Sequence, residues 1–183
     1  MNVATQAPRL ALPVLVAVQV SNEANAGFYA ALLLVTFVWI IPSHLGVAMF
    51  ALGNDDPEHF GRGLSTTLRL SALVSILAAV GTPILARPLL SIFGPEYVDA
   101  STCLIAFAMV TFAVAIKSIY IAVRRSQGAL GRAAWASALG AVLELGAAEV
   151  GLKLGAVTGV GIALSIAMVV EAAFYWPAIR KAQ

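Results

Sequence analysis

The stretch SALGAVLELGAAEVGLKLG, Ser137 to Gly155, sets the problem of the whole chain. It is built almost entirely from small and apolar residues, yet it contains Glu144 and Glu149. Ser137, Gly140, Ala141, Glu144, Ala148 and Gly151 recur every three or four residues, so a helix places them on one small, polar stripe. Leu139, Val142, Leu143 and Val150 supply apolar surface around the rest of that helix. Glu144 therefore turns toward other helices or a wet path, while Glu149, near the helix end, suits the outer headgroups.

The surrounding composition places this helix in a membrane. Hydrophobic residues make up 61% of the 183 residues and charged residues only 11%, against about 25% charged in a soluble domain. Mean hydropathy is +0.93. So few charges cannot make a water-facing surface. The expected fold class is an all-α integral membrane protein with about six transmembrane helices, forming a single helical domain over residues 1–183. The segments are read at about 5–20, 26–52, 66–92, 100–124, 133–151 and 156–176.

Lys and Arg are distributed unevenly between the loops. With the N-terminus inside, Arg9, Arg62, Arg69, Arg124, Arg125, Arg132, Arg180 and Lys181 fall on the cytoplasmic side, and Arg87 and Lys153 on the other. That bias predicts an even number of crossings with both termini cytoplasmic. An A-x-A pattern at Ala24 and Ala26 is like a signal-peptide cleavage site. Cleavage there would leave five crossings and break the charge bias, so the first segment reads as a crossing. Asp56 and Pro57 predict a capped short helix before the third crossing. Gly94 and Pro95 predict a helix end followed by a new start, and Pro42 predicts a kink. Among the glycines spaced by four, Gly151 and Gly155 read as loop and Gly159 as helix packing.

The chain has no G-x-S-x-G, nucleotide loop or H-E-x-x-H motif, and its two histidines are far apart. No enzyme activity, metal or cofactor is expected. Net charge is only +2, and no nucleic-acid partner is expected. The informative residues are the intramembrane charges. At about 1.5 Å rise per residue, Lys117 and Glu171 each lie roughly 7–11 Å from the cytoplasmic ends of their helices, and Glu144 roughly 16 Å deep. Lys117 is placed to pair with Glu171, leaving Glu144 in a cavity above; Glu144 faces a hydrated path either alone or in a charge network with Lys117 and Glu171. Lys117 also has a stem long enough to snorkel. Glu144 does not, and is a transport residue, a protonated structural hydrogen bond, or part of a face covered by another subunit. The transport-cavity candidates are Lys117, Glu144, Glu171 and, at the cytoplasmic mouth, Arg69.

Several longer segments carry a family resemblance. NAGFYAALLLVTFVWIIPSHLGVAMFA (Asn25–Ala51) resembles the eighth crossing of polysaccharide and lipid-linked oligosaccharide flippases of the MOP superfamily, the group of the O-antigen flippases. LLSIFGPEYVDAS (Leu89–Ser101) is similar to the L-x-x-F-G-x-x-Y turn after the ninth. IYIAVRRSQG (Ile119–Gly128) resembles the end of the tenth, and LGAVTGVGIALSI (Leu154–Ile166) the entry to the twelfth. The resemblance implies the second of two six-helix bundles. It also implies transport of a lipid-linked glycan, such as a lipopolysaccharide or polysaccharide precursor, across the inner membrane of a bacterium. A lone half implies a homodimer, a separately encoded first half, or a truncated form. Glu144 then offers a place for coupling to H⁺ or Na⁺. Two other functions stay open: a cation-coupled multidrug exporter of the MATE branch, and a non-transporting membrane scaffold for glycan assembly.

Overall fold

A long hydrophobic run closed by Gly94 produces one of the longest helices of the protein. A computed structural model describes the backbone of residues 3–52 and 57–181, and the side chains of 10–48 and 60–181. Helix α1 is Val3–Gln19, α2 Asn22–Leu52 and α3 Pro57–Ser91. A 3₁₀ turn at Pro95–Ala100 leads into α4, Ser101–Met109, followed by α5, Thr111–Ser126, and α6, Leu130–Arg180. No strand occurs among the described residues. Asn22–Ala48, Phe60–Ser91 and Leu130–Arg180 are each long and apolar enough to cross a membrane. The bent pair Pro95–Met109 and Thr111–Ser126 is a fourth when taken as one span.

The helix ends follow from local chemistry. Ser21 Oγ accepts the Ala24 N–H at 3.2 Å, capping the start of α2. Gly128, at φ 69°, ends α5. Its N–H donates to the Arg125 carbonyl, and the Ala129 N–H donates to that of Arg124. That pair of bonds is a Schellman closure. Gly94, at φ 142°, turns the chain between α3 and the 3₁₀ turn. A Cβ there would run into the Glu96 carboxylate, with Oε1 at 2.5 Å. Pro95 then opens the next element, as its fixed φ favours.

Three sequence expectations are corrected. The third crossing has no separate short helix before it, because the chain is helical without a break from Pro57 to Ser91; Asp56 lies outside the described residues. The segment at 100–124 is not one helix. It bends by 45° around Val110, where the Thr111 hydroxyl donates to the Ala108 carbonyl at 2.8 Å. Such a side chain competes with the helical ladder and bends it. Gly151 is packing rather than loop. A Cβ at Gly151 would strike the Gly159 carbonyl, and a Cβ at Gly159 would strike that of Gly151.

That last contact shows how α6 is arranged. Its backbone breaks at Gly155 and Ala156. Gly151 then meets Gly159, and Tyr175 Oη donates to the Ala136 carbonyl at 3.1 Å. The partners step in opposite directions along the chain, so the two arms lie side by side and antiparallel. Glycine on both faces permits the close approach that lipid, offering no hydrophobic drive of its own, cannot otherwise promote.

Two apolar clusters fill the interior. One gathers Leu12, Val16, Phe28, Trp39, Leu90 and Phe107 with Ala148 and Leu164. The other gathers Leu64, Leu68, Ile119, Val123, Ala136 and Ile179. Many large apolar residues, such as Leu10, Phe37, Leu77, Leu139, Val142 and Phe174, are exposed, as a lipid-facing surface requires.

The α6 turn makes a paired prediction. Gly151→Ala is expected to lower stability by about 1–3 kcal/mol through backbone overlap, whereas Gly146→Ala, with open space around it, is expected to be neutral or stabilising by up to about 1 kcal/mol. Ala156, at φ 48°, is strained, so Ala156→Gly is expected to gain about 1 kcal/mol. Unfolding of the purified protein in detergent checks all three.

Candidate functional site

The stripe on the first arm of α6 points inward. Ser137, Gly140, Glu144, Ala148 and Gly151 are buried, while Leu139, Val142, Leu143 and Val150 are exposed. On the second arm, Gly161, Leu164, Glu171 and Tyr175 are buried in the same way. Lys117 projects from α5 between the two arms. Its Nζ donates to Glu144 Oε1 at 2.6 Å and lies 2.8 Å from Glu171 Oε2. Side-chain exposure is 15% for Lys117, 7% for Glu144 and 2% for Glu171. One ammonium group thus joins three helical segments.

This arrangement differs from the sequence expectation in one respect. Lys117 pairs with Glu171, and Glu144, which the depth estimate leaves above the pair, takes the shorter contact, so of the two alternatives for Glu144 the geometry matches the charge network. The two arms bring both carboxylates to the same depth. The Lys117 ammonium is drawn into the bundle rather than toward the interface, because two anions outbid solvent for it. Arg69 stands apart, exposed on α3 and outside the charge cluster. Glu149 lies elsewhere, accepting from Gln19 Nε2 at 2.7 Å and pairing with Lys153 at 3.1 Å.

Two supporting features were not singled out from sequence as parts of this site. The first is the room at Gly140. A Cβ there would fall 2.6 Å from Lys117 Nζ and 2.7 Å from Glu171 Oε2. The absence of a side chain is what lets the three charges meet. The second is an aromatic stack next along the helices. Tyr120 and Tyr175 stack at 4.4 Å between centroids, and the Arg124 guanidinium sits 5.1 Å over Tyr120. Spacing held the signal: Lys117, Tyr120 and Arg124 share a face of α5, and Glu171 and Tyr175 a face of α6.

The charges also lie near the border of the two apolar clusters. On α5, Ala113 belongs to the first cluster and Ile116 and Ile119 to the second, so Lys117 sits at the edge of the second. On α6, Glu144 lies between Ala136 and Ala148, and Glu171 between Leu164 and Tyr175.

No protein-family model, curated protein or solved structure matches the chain. The chemistry of the site therefore rests on its own geometry. Paired ions in this setting hold helices together, exchange a proton or cation, or do both. A concave feature of about 320 Å³ opens between the start of α2, the 3₁₀ turn and the α6 break. Glu23, Glu96 and Asp99 line it. Three carboxylates make that end a poor host for phosphate.

Removing the central cation leaves two buried acids without a counter-charge. Lys117→Ala is expected to destabilise the protein by about 3–5 kcal/mol, the cost of breaking a buried pair. Arg69→Ala is expected to change stability by no more than about 0.5 kcal/mol. Gly140→Val is expected to destabilise in the same direction as Lys117→Ala by displacing the ions. Detergent unfolding midpoints of the variants check the order.

Proposed function

We propose that this chain is a helical bundle of a membrane transporter that carries a lipid-linked oligosaccharide or related polysaccharide precursor across the cytoplasmic membrane. The carrying observation is the Lys117–Glu144–Glu171 cluster, buried among apolar helices. Charges at such depth are costly to insert and mark substrate or ion pathways by default. In this reading α1, α2, α3, the bent α4–α5 pair and the two arms of α6 make six crossings. They form one bundle of a two-bundle transporter, completed by a second copy or by a separate half.

The substrate class comes from the motif resemblance, and one of those motifs has a defined local structure. In the F-G-x-x-Y segment, Gly94 takes a conformation other residues avoid, and the Phe93 and Tyr97 rings lie 5.9 Å apart. The segment therefore works as a defined turn. Charge asymmetry supports the orientation. Arg124 and Arg125 end α5, Arg132 is in the first turns of α6, and Arg180 ends it. The antiparallel arms bring these to one end. Glu23, Glu96 and Asp99 gather elsewhere, at the start of α2 and the α6 break. With the basic end in the cytoplasm, lipid phosphates there meet cations.

The burial of the charge cluster also favours a second reading. Glu171, at 2% exposure, has little access to a substrate, as expected of a scaffold whose charges only bind helices together. Membrane vesicles from the source cells, which keep any partner half in place, separate the two. For a transporter, Lys117→Ala and Glu144→Gln are expected to slow translocation of a fluorescent lipid-linked oligosaccharide by ~10-fold or more, a barrier change of about 1.4 kcal/mol. Unchanged translocation with both variants present and folded would leave the scaffold.

A further inference from the structure

The Lys117 cluster does not balance its own charge. It joins two carboxylates to one ammonium, so with every group ionised it carries one net negative charge. Glu144 and Glu171 are the acidic residues buried among the described ones. The environment offers little to offset that charge. The cluster's chain neighbours are apolar: Ile116 and Ile119 flank Lys117 on α5, and Leu145 and Ala172 follow the two glutamates on α6.

The two carboxylates are not equivalent. Glu144 receives the Lys117 hydrogen bond at 2.6 Å. Glu171 is more deeply buried, and its Oε1 has no hydrogen-bond partner among the described residues. A bare carboxylate oxygen in an apolar setting is the arrangement that proteins avoid. A proton on that carboxyl removes the surplus charge and supplies a donor at once.

We propose that the cluster is a one-proton binding site, with the proton on Glu171. Protonated, the site is a neutral triad: a Lys117–Glu144 ion pair beside a carboxylic acid. The surrounding ionisable groups agree with this assignment. From α5, Lys117 and Tyr120 face the site; from the first arm of α6, Glu144; from its own arm, Tyr175, whose hydroxyl donates to the Ala136 carbonyl. His44 on α2 and Arg69 and Arg87 on α3 are exposed. Lys117 is the cation that pairs with both acids among the described residues. The Tyr120–Tyr175 stack lies between the site and the end that carries Arg124.

This inference rests on the same cluster as the transport reading. Its test reads protonation and not translocation, so either can fail alone.

Infrared spectroscopy of the full purified chain in lipid nanodiscs, in H₂O and D₂O at neutral pH, is the test. The expected result is a carboxylic-acid C=O band from one buried acid. Glu171→Asp should shift its frequency, and Glu144→Asp should leave it in place. Lys117→Met, which leaves two acids without a cation, should double the band. Glu171→Gln and Glu144→Gln should each abolish it, because Lys117 then balances the remaining carboxylate. Circular dichroism confirms that each variant is folded, and the Asp variants keep the test open if a Gln variant is not. A band that shifts with Glu144→Asp instead would overturn the assignment to Glu171. No band in a folded wild type would overturn proton binding. A band that appears only when sodium is replaced by choline would assign the site to a metal cation instead.

Discussion

The fold turns on one ammonium group held between two carboxylates. Lys117 reaches from α5 to Glu144 on one arm of α6 and to Glu171 on the other. In water, burying such charges is often no gain over apolar packing. In lipid the comparison changes. Hydrocarbon is as apolar as leucine, so apolar contacts give helices little reason to prefer one another, and polar contacts take on more of the task. A cation with two partners on separate segments fixes which helices meet and at what depth. The apolar clusters then pack around that fixed point.

Small residues make this contact sterically possible. Gly140 leaves the space in which Lys117 and Glu171 meet, and Gly151 and Gly159 let the α6 arms touch backbone to backbone. Gly161 lies against Cys103, and Gly46 against Ser118, where a Cβ would stand 3.2 Å from the hydroxyl. Ser118 also donates to the Ser43 carbonyl at 3.2 Å, tying α5 to α2 beside Pro42. These contacts share one logic. Where lipid supplies no squeezing force, attraction depends on close approach, and close approach requires missing side chains.

The positions of the charges give the bundle a direction. Basic residues gather where α5 ends and α6 begins and ends, and an acid-lined hollow lies at the α6 break. Between them sits a cluster whose two acids exceed its one base. An element with a basic end, an acidic end and an ionisable centre is suited to moving charge along its length. That is the physical ground for reading it as part of a transporter, with the glycan substrate coming from the motif resemblance.

Much of the helical layout was legible in the sequence because it is local. Hydropathy fixed the long apolar segments, Gly94 and Pro95 marked a turn, and the three-and-four spacing of Ser137, Gly140, Glu144 and Ala148 already named a buried face. The charges themselves were visible as exceptions in apolar surroundings. The sequence did not determine how they combine. The bend at Val110 came from a threonine hydroxyl competing for a carbonyl, which apolar composition does not register. Gly151 and Gly159 read as a loop and a packing residue until the break at Gly155 folded one against the other. Whether Glu144 stood alone or in a network stayed open, because depth along a single helix says nothing of what stands beside it. Its partner is 27 residues away, and only antiparallel packing of the α6 arms around α5 brings Lys117 within reach of both acids. Periodicity specifies which side of a helix turns inward; which charges share that interior is decided by the packing of helices against one another.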